Sequence, residues 1–381
     1  MKKFIYLCGM MLLSLNMMAQ IDWNDRNWDW NNAFRDDFVS YRSWDTNSWI
    51  SIPDNRWRAF LNKVTHGHEK QVYQFNHCIF NTISGEMRLF AEYDTTGLIE
   101  NQSYPLPDTM HGIYSNYDSL FYFSGEMIAM TRFRYGYFEI RCKLPVHQGA
   151  FPAFWLYSSY SGSNNSYYEE IDVFEYSWWI TSLSGPNPDP PGTGSKRCFT
   201  CGIYFNDEEN NPDEHSYGRA YPLLPPSSSD LDEFHTYSCE WMPDHVIWYF
   251  DGTVLNEYFN MDSIPYRSLE LIANYAIDKY CFHNDSTWVG PDEMLIDYIN
   301  VFQLKWECDS IETITSQNDL DNFEYAVKKS ISINSIVDEP VVKYNNKITF
   351  RVTDLFEVTG PFEVVEGAEF TVIMQSCPPP L

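Results

Sequence analysis

The sequence is poor in basic residues and in long apolar segments. Of its 381 residues, 25 are Lys or Arg and 53 are Asp or Glu, which gives a formal net charge of -28. This charge disfavours nucleic acid and anionic membrane surfaces as partners, because both are polyanions. Beyond the first twenty residues no apolar run is long enough for a membrane span, so none is expected. A polyanionic substrate is disfavoured more weakly, since a local basic cleft would override the overall charge.

The first residues have the pattern of an export signal. Lys2 and Lys3 precede an apolar run from Phe4 to Leu15, and Ala19 follows shortly after it. A run of this length with basic residues before it is typical of a secretory signal peptide and too short for a membrane span. We expect residues 1–19 to be removed by cleavage near Ala19 and the protein to be exported to the extracellular space, the cell surface or the periplasm.

The cysteine pattern lacks the paired motifs of a zinc site. Beyond Cys8 the chain has eight cysteines, an even number that permits disulfides in an exported protein without fixing their pairing. Cys198 and Cys201 form a single CxxC with no second pair, which favours a small disulfide loop over zinc binding. Cys142 and Cys239 lie in apolar runs, where reduced core cysteines are expected.

Long amphipathic helices are also missing, and the apolar pattern is that of many short strands. Strand-like patterns of apolar and polar residues recur at 71–91, 123–128, 135–145, 149–157, 199–205, 234–241, 245–250, 269–277 and 294–306. Residues 20–306 are therefore predicted to be all-β, forming a jelly-roll β-sandwich of two antiparallel sheets. The polar, acidic segment 307–325 is predicted to be a linker, and residues 326–381 a small accessory β module.

One segment, residues 169–175, combines acids with apolar residues. Burying acids beside apolar residues costs free energy, so their presence in this segment suggests that they have a function. The alternation predicts a buried strand with carboxylates on one face. Glu170 and Asp172 share a face, whereas Glu175, five residues after Glu170, points away in a regular strand. A β-bulge, one extra residue near position 173 or 174, would return Glu175 to the face of the other two.

Three convergent carboxylates suit the cleavage of a glycosidic bond, which requires one ionised and one protonated carboxyl group. Like charges raise at least one pKa in such a cluster and so supply the protonated acid. Tyr168 shares the face of Glu170, and Trp179 joins Glu175 after the bulge, so an aromatic ring stands at each end of a sugar-binding cleft. The alternative is an exposed acidic strand on an acidic protein, because chance produces such spacing about once in a chain of this composition.

The sequence Glu-Ile-Asp-Val-Phe-Glu at residues 170–175 resembles the active-site signature of glycoside hydrolase family 16, in its longer form with one inserted residue. Other stretches resemble the same family in the expected order, at 135–139, 143–145, 152–155, 234–241, 251–252 and 297–301. The resemblance covers about residues 30 to 306. It implies a jelly roll whose concave sheet binds a polysaccharide, with endo cleavage and retention of configuration.

The resemblance also implies roles for individual residues. Glu170 would be the nucleophile, Glu175 the general acid and then base, and Asp172 a hydrogen-bonding partner of the nucleophile. Trp155 would be a platform near the cleaved bond. Asn274 and Trp288 are weaker candidates for the cleft, for which a structural role is an equal alternative.

No cofactor is required by this chemistry, but many family members hold a structural calcium. The resemblance places Asp297 among its ligands, with Asp36 or Asp37 as an N-terminal acid. Hydrogen bonding at a strand end is the alternative role for Asp297.

The sequence thus predicts a secreted, monomeric, retaining endo-β-glycosidase. The inserted residue resembles the laminarinase, agarase and carrageenase branches of the family. The loops from Thr181 to Tyr221 contain few basic residues, which favours a neutral β-glucan or β-galactan as substrate. The alternatives are a non-catalytic carbohydrate-binding surface protein on the same scaffold and an enzyme for sulfated galactans.

Overall fold

The computed structural model describes residues 34–38, 49–51, 56–60, 63–64, 69–81, 84–95, 120–145, 149–161, 166–177, 198–206, 215–217, 233–259, 264–277, 292–335 and 339–378. The expected signal peptide at 1–19 lies outside these residues. Within the described part of the chain, no helix is long and apolar enough to cross a membrane.

Within the described residues, nineteen strands form the larger body of the protein, and a short 3-10 turn at Phe75–His77 interrupts them. The strands are β1 (Phe34–Asp36), β2 (Trp49–Ser51), β3 (Trp57–Phe60), β4 (Lys63–Val64), β5 (Gln71–Tyr73), β6 (Cys78–Asn81), β7 (Glu86–Tyr93), β8 (Tyr122–Ser124), β9 (Glu126–Phe133), β10 (Gly136–Lys143), β11 (Ala150–Ser161), β12 (Ser166–Ser177), β13 (Cys198–Asn206), β14 (His215–Tyr217), β15 (Phe234–Trp241), β16 (Val246–Phe250), β17 (Thr253–Tyr258), β18 (Leu269–Ile277) and β19 (Asp292–Phe302).

These strands form two sheets. The first, which we call the carboxylate sheet, has the order β14-β13-β12-β11-β18-β9-β3-β2, and all its neighbours are antiparallel. The second, the backing sheet, has the order β17-β16-β15-β10-β19-β7-β8-β5-β4, with β1 beside β19 and β6 beside β7. Near its edge β5 and β8 run parallel. The predicted all-β jelly-roll sandwich is confirmed.

The core lies between the two sheets and is built from alternate residues of each strand. Phe154, Leu156 and Phe174 come from the carboxylate sheet, and Trp241 and Trp248 from the backing sheet; all five are fully buried. Burial of such large side chains contributes roughly 1.5–3 kcal/mol each. Because these residues face the core, the alternate side chains of β11 and β12 must point to the opposite face of the sheet.

The turn Asp251-Gly252, which the sequence places at the end of a strand, joins β16 to β17. Both residues have positive φ angles, 47° and 74°, as a type I′ hairpin turn requires. The Asp251 carboxylate accepts a hydrogen bond from the Thr236 backbone N–H at 2.9 Å.

In the described part of the sandwich, four buried cysteines carry reduced thiols, namely Cys78, Cys142, Cys201 and Cys239. The reduced core state expected for Cys142 and Cys239 is confirmed. The disulfide loop expected between Cys198 and Cys201 is wrong, because Cys201 is a reduced thiol buried in the core. Cys201 points into the core, and burial raises the pKa of its thiol far above the ordinary value.

The C-terminal part is a separate small β body made of β20 (Trp306–Ile314), α1 (Gln317–Asp321), β21 (Val327–Ile333), β22 (Val341–Val342), β23 (Lys347–Val358), β24 (Glu363–Val364) and β25 (Glu369–Met374). Strands β20, β21, β23 and β25 form one parallel sheet, and β22 and β24 a second. The same sheet position recurs at Val327, Arg351 and Ile373, after 24 and then 22 residues. This is a short parallel solenoid, which we call the solenoid module.

Residues 307–325, predicted to form a linker, belong to this module. They supply most of β20 and the whole of α1, and Ile314 and Leu320 are buried in the core of the module. The polar composition misled the prediction because β20 has one face on the module core and the other in water. Its partner Lys328 is buried, and its ammonium group contacts both Glu307 and Glu312.

The solenoid module packs directly on the backing sheet. Val327 shares an apolar cluster with Tyr137, Tyr249 and Phe302, and the Asp244 carboxylate accepts a hydrogen bond from the Ser376 backbone N–H at 3.1 Å. A disulfide joins Cys308 to Cys377 and so ties the first strand of the module to its end. The module is therefore a docked part of the fold, on the side of the sandwich that faces away from the carboxylate sheet.

Candidate active site

A β-bulge interrupts β12 at the position that the sequence suggests. Against β11, Phe174 pairs with Phe154 and Asp172 with Trp155, so Val173 is one residue in excess. The same excess is present against β13, where the register shifts between Asp172 and Glu175. The predicted bulge near residues 173 and 174 is confirmed.

The bulge brings the three carboxylates to one face of the sheet. Their partners on β11 are Tyr157 for Glu170, Trp155 for Asp172 and Ala153 for Glu175. These three residues alternate regularly along β11, and directly paired residues of antiparallel strands point to the same side. We call this side, opposite the core, the site face. Asp172 is 2% exposed, whereas Glu170 and Glu175 are half-buried at its rim.

Trp155 and Asn274, both expected in the cleft, contact each other. The Trp155 indole N–H donates to the Asn274 side-chain oxygen at 2.8 Å, and the Asn274 amide donates to the Tyr73 hydroxyl at 2.7 Å. Asn274 also pairs with Ala153, the residue opposite Glu175. Trp155 is only 8% exposed, so this chain of hydrogen bonds fixes a ring that offers a ligand a small part of its surface.

Tyr168 lies at the end of an aromatic row that begins at Trp155. The ring of Tyr157 is 5.4 Å from that of Trp155, and it stacks on that of Tyr168 at 6.4 Å between centroids. Burial raises the pKa of Tyr157, and the nearby charge of Glu170 adds to the rise. Tyr157 therefore stays a neutral hydroxyl beside Glu170 at neutral pH.

Glu169 lies on the opposite side of the strand from Glu170, as alternation requires of adjacent residues. Its carboxylate accepts a hydrogen bond from the Arg267 backbone N–H at 2.9 Å and lies 3.9 Å from the Arg267 guanidinium. It is buried and part of the support of the sheet end. The acid that has no role in the resemblance is thus separated from the three that have one.

On the other side of β12, β13 contributes small residues next to the carboxylates. Gly202 pairs with Asp172 and Thr200 with Glu175, and the Thr200 hydroxyl lies 3.5 Å from the Glu175 carboxylate. A glycine opposite Asp172 places no side chain over the centre of the cluster. The space above Asp172 is therefore bordered by Glu170, Glu175 and Trp155.

Basic residues occur at one side of the site face. Arg58 on β3 and Arg132 on β9 both contact the Glu270 carboxylate, at 2.9 and 3.1 Å. Glu270 pairs with Tyr157, whose other partner is Glu170, so this ion-pair cluster lies two strands from the nucleophile candidate. Neighbouring strands are about 4.8 Å apart, which puts about 10 Å between the two backbones. Two guanidinium groups therefore meet on one carboxylate at this side of the site face.

The remaining predicted site residues are Trp179, Trp288 and Asp297. Trp179 and Trp288 fall outside the described residues. Asp297 is on β19 of the backing sheet, where it forms an ion pair with Arg141. Within the described residues, no three His, Cys, Asp or Glu side chains cluster in the way that a metal ion requires.

Asp36, one of the two acids expected to accompany Asp297 at a calcium site, has other partners as well. Both oxygens of Asp36 accept hydrogen bonds, from the Phe38 backbone N–H at 3.0 Å and the Trp57 indole at 2.9 Å. These contacts favour the hydrogen-bonding alternative for both acids. Calcium binding stays a prediction that the donor set does not support.

Sequence reasoning missed several residues of the site face. Tyr157 was detectable, since it follows Trp155 by two positions in one strand and must share its face. Tyr73, Thr200 and the Arg58 cluster come from distant strands whose neighbours only the sheet order reveals. No local signal in the sequence identifies them.

Comparison with known proteins agrees with this arrangement. Residues 110–277 match the family model described as "Glycosyl hydrolases family 16". The chain is 24% identical over 274 residues to the endo-1,3-1,4-beta-glycanase EglC of Rhizobium meliloti, covering 71% of this chain and 51% of that protein. It is 28% identical over 198 residues to the kappa-carrageenase of Pseudoalteromonas carrageenovora, covering 48% of this chain and 47% of that protein. The chain thus spans about half the length of these relatives.

Among solved structures, the crystal structure of the kappa-carrageenase zobellia_236 from Zobellia galactanivorans superposes with a TM-score of 0.53 at 18% identity. The match covers 76% of this chain and 99% of that chain, and it supports the same fold. The bulged acidic strand, the order of the sheets and the family match agree. Residues 110–277, which contain all three carboxylates, therefore resemble glycosyl hydrolase family 16 in sequence and in fold.

Proposed function

We propose that this protein is a retaining endo-β-glycosidase that hydrolyses a β-linked polysaccharide by double displacement. The observation that carries the proposal is the bulge in β12, because it alone returns Glu175 to the face of Glu170 and Asp172. A strand without it would point Glu175 into the core. The chain therefore maintains a backbone irregularity whose result is a cluster of three carboxylates beside aromatic rings.

In the proposed mechanism Glu170 attacks the anomeric carbon and forms a glycosyl-enzyme, while Glu175 protonates the leaving oxygen. Glu175 then removes a proton from the water that hydrolyses the intermediate. Asp172, which lies between them, accepts a proton from the nucleophile or shares one with it. Repulsion between neighbouring carboxylates favours one protonated and one ionised group, the pair that the first step requires.

The register constrains the distance between the two glutamates. Their partners on β11, Tyr157 and Ala153, are four residues apart, which is about 13 Å of backbone. The two side chains must lean towards each other across Asp172 to reach the separation of about 5 to 5.5 Å that retention requires. Gly202, opposite Asp172, leaves that path clear.

The substrate class is proposed as a neutral β-glucan or β-galactan, and a polysaccharide is the proposed partner. Some relatives are named β-glucanases and one is named a kappa-carrageenase. Arg58 and Arg132, held by Glu270 on the site face, are the specific observation that favours the second candidate, a sulfated galactan. A panel of laminarin, mixed-linkage glucan, agarose, porphyran, carrageenan and mucin-type glycans, with products sized, separates the two candidates.

The catalytic assignment is tested by Glu170→Gln, with Glu169→Gln as the matched control on the same strand. Glu170→Gln should abolish turnover and leave oligosaccharide binding intact, whereas Glu169→Gln should retain turnover because its side chain lies on the opposite face. Unchanged hydrolysis in Glu170→Gln would contradict the assignment. Binding without hydrolysis by the wild-type protein on every substrate would instead support a non-catalytic carbohydrate-binding protein.

Stereochemistry is tested separately. NMR of the first reducing end released should show the β anomer, and an initial α product would refute the retaining mechanism.

Export and a monomeric state belong to the same proposal. The pattern of residues 1–19 supports export, and so does the Cys308–Cys377 disulfide, since such bonds persist mainly in oxidising compartments. The mass of the mature protein measured from the host should show cleavage near Ala19. Light scattering of the purified protein should give the mass of one chain.

A further inference from the structure

The backing sheet makes a direct hydrogen bond to the bulge of the carboxylate strand. Trp248, on β16, is fully buried, and its indole N–H donates to the backbone oxygen of Asp172 at 2.8 Å. The donor thus crosses the core from one sheet to the other. Its acceptor is the carbonyl of the central carboxylate residue, immediately before the extra residue Val173.

The position of this bond matters because a bulge disturbs the regular hydrogen-bond ladder around the extra residue. Between Asp172 and Glu175 the pairing with β13 shifts by one position, so the ladder does not by itself define the backbone there. A fixed donor from a rigid neighbouring strand defines where the Asp172 carbonyl points. The orientation of that peptide then sets the direction in which the next residues of the bulge turn.

We propose that Trp248 is a positioning residue for the active site, which holds the bulge in the conformation that directs Glu175 towards Glu170. It touches no substrate and acts through the Asp172 backbone alone. The inference rests on the proposed function, since Trp248 would position the three carboxylates that this function uses. It goes beyond that function by assigning part of the catalytic geometry to the opposite sheet.

The test compares two buried tryptophans whose indole N–H groups donate to different backbone oxygens. Trp241 is also fully buried in the backing sheet, and its indole N–H donates to the backbone oxygen of Pro265 at 2.9 Å, away from the bulge. Trp248→Phe and Trp241→Phe therefore remove the same ring volume and the same kind of hydrogen bond. A general loss of core stability should appear in both variants.

On the panel polysaccharide that the wild-type protein cleaves fastest, we expect Trp248→Phe to lower kcat about tenfold with KM within about twofold, because misplaced catalytic groups slow the chemical step. Trp241→Phe should retain the wild-type kcat. Equal kcat values in the two variants would overturn the proposal. If Trp248→Phe does not fold, β-(3-benzothienyl)alanine at position 248 keeps the ring shape without an N–H donor.

A second readout does not depend on activity. Hydrogen exchange of the amides at 172–176 should be at least about fivefold faster in Trp248→Phe than in Trp241→Phe, since local opening follows the loss of the local bond. Equal exchange in the two variants would overturn the proposal whether or not any polysaccharide is cleaved. Faster exchange in a protein that cleaves nothing would support the positioning of the bulge while refuting the proposed function.

Discussion

We expect the protein to lose stability at alkaline pH, because His245 loses its proton there. Its ring lies between two carboxylates of the backing sheet, with Nδ1 2.8 Å from Asp244 and Nε2 3.2 Å from Glu240. Burial alone would lower its pKa, but the hydrogen bonds to Asp244 and Glu240 outweigh that effect and raise the pKa to about 9. His245 is therefore a cation in the folded protein at neutral pH.

The sign and size of the effect follow from linkage. The folded-state pKa of about 9 exceeds the ordinary value of 6.5. The stabilisation is therefore complete below pH 6.5 and disappears as the pH rises through 9. A difference of about 2.5 pH units corresponds to about 3 kcal/mol of unfolding free energy, at 1.36 kcal/mol per unit. The side chain is 18% exposed, so solvent screens this interaction only in part.

The assay is urea unfolding, followed by tryptophan fluorescence, at pH 6.5 and pH 9.5. The wild-type protein is compared with His245→Gln at each pH, so that other titrating groups largely cancel. We expect the stability advantage of the wild type to shrink by about 3 kcal/mol between the two pH values. A difference that stays constant to within about 1 kcal/mol would refute the assigned charge of His245.

Three further predictions address the bulge and the solenoid module. Deletion of Val173 should leave measurable hydrolysis, because regular alternation then puts Glu175 on the site face without a bulge; a folded variant with no hydrolysis would contradict this. Replacing Cys308 and Cys377 by serine should lower the unfolding free energy by about 4 kcal/mol through the 69-residue loop that the disulfide closes, and identical urea curves would count against it. Deletion of residues 326–381 should lower the melting temperature of the sandwich, because it exposes the apolar cluster around Tyr137 and Phe302. An unchanged melting temperature would show that the module does not stabilise the backing sheet.

The carboxylate strand could be predicted because its pattern is local. Five positions separate Glu170 from Glu175, and strand alternation makes a bulge necessary if both serve one site. The faces of Tyr168 and Trp155 follow from the same counting. The partners across the sheet do not, since Asn274 and Tyr73 come from strands that are distant in sequence and adjacent only in the fold.

The solenoid module shows the opposite case. Ile348, Phe350 and Val352 alternate in a way that suits a parallel or an antiparallel strand equally well, and the turn at Gly367 suggested a simple β pattern without a direction. The signal that predicts the solenoid module is a regular repeat of strands along the sequence. Strands recur after 21 to 24 residues, with Trp306, Val327 and Arg351 stacked in successive strands. Such a period predicts stacked parallel coils even where no single strand reveals its direction.

The docking of this module changes how its role must be tested. Because Val327 packs among Tyr137, Tyr249 and Phe302, and Ser376 binds Asp244, a truncated protein loses support of its backing sheet together with the module. The backing sheet in turn carries Trp248, the donor to the carboxylate bulge. Reduced polymer binding or activity after truncation would therefore not assign carbohydrate binding to the module. Only substitutions on its exposed surface, such as Tyr344→Ala, leave the interface intact and separate a binding role from a structural one.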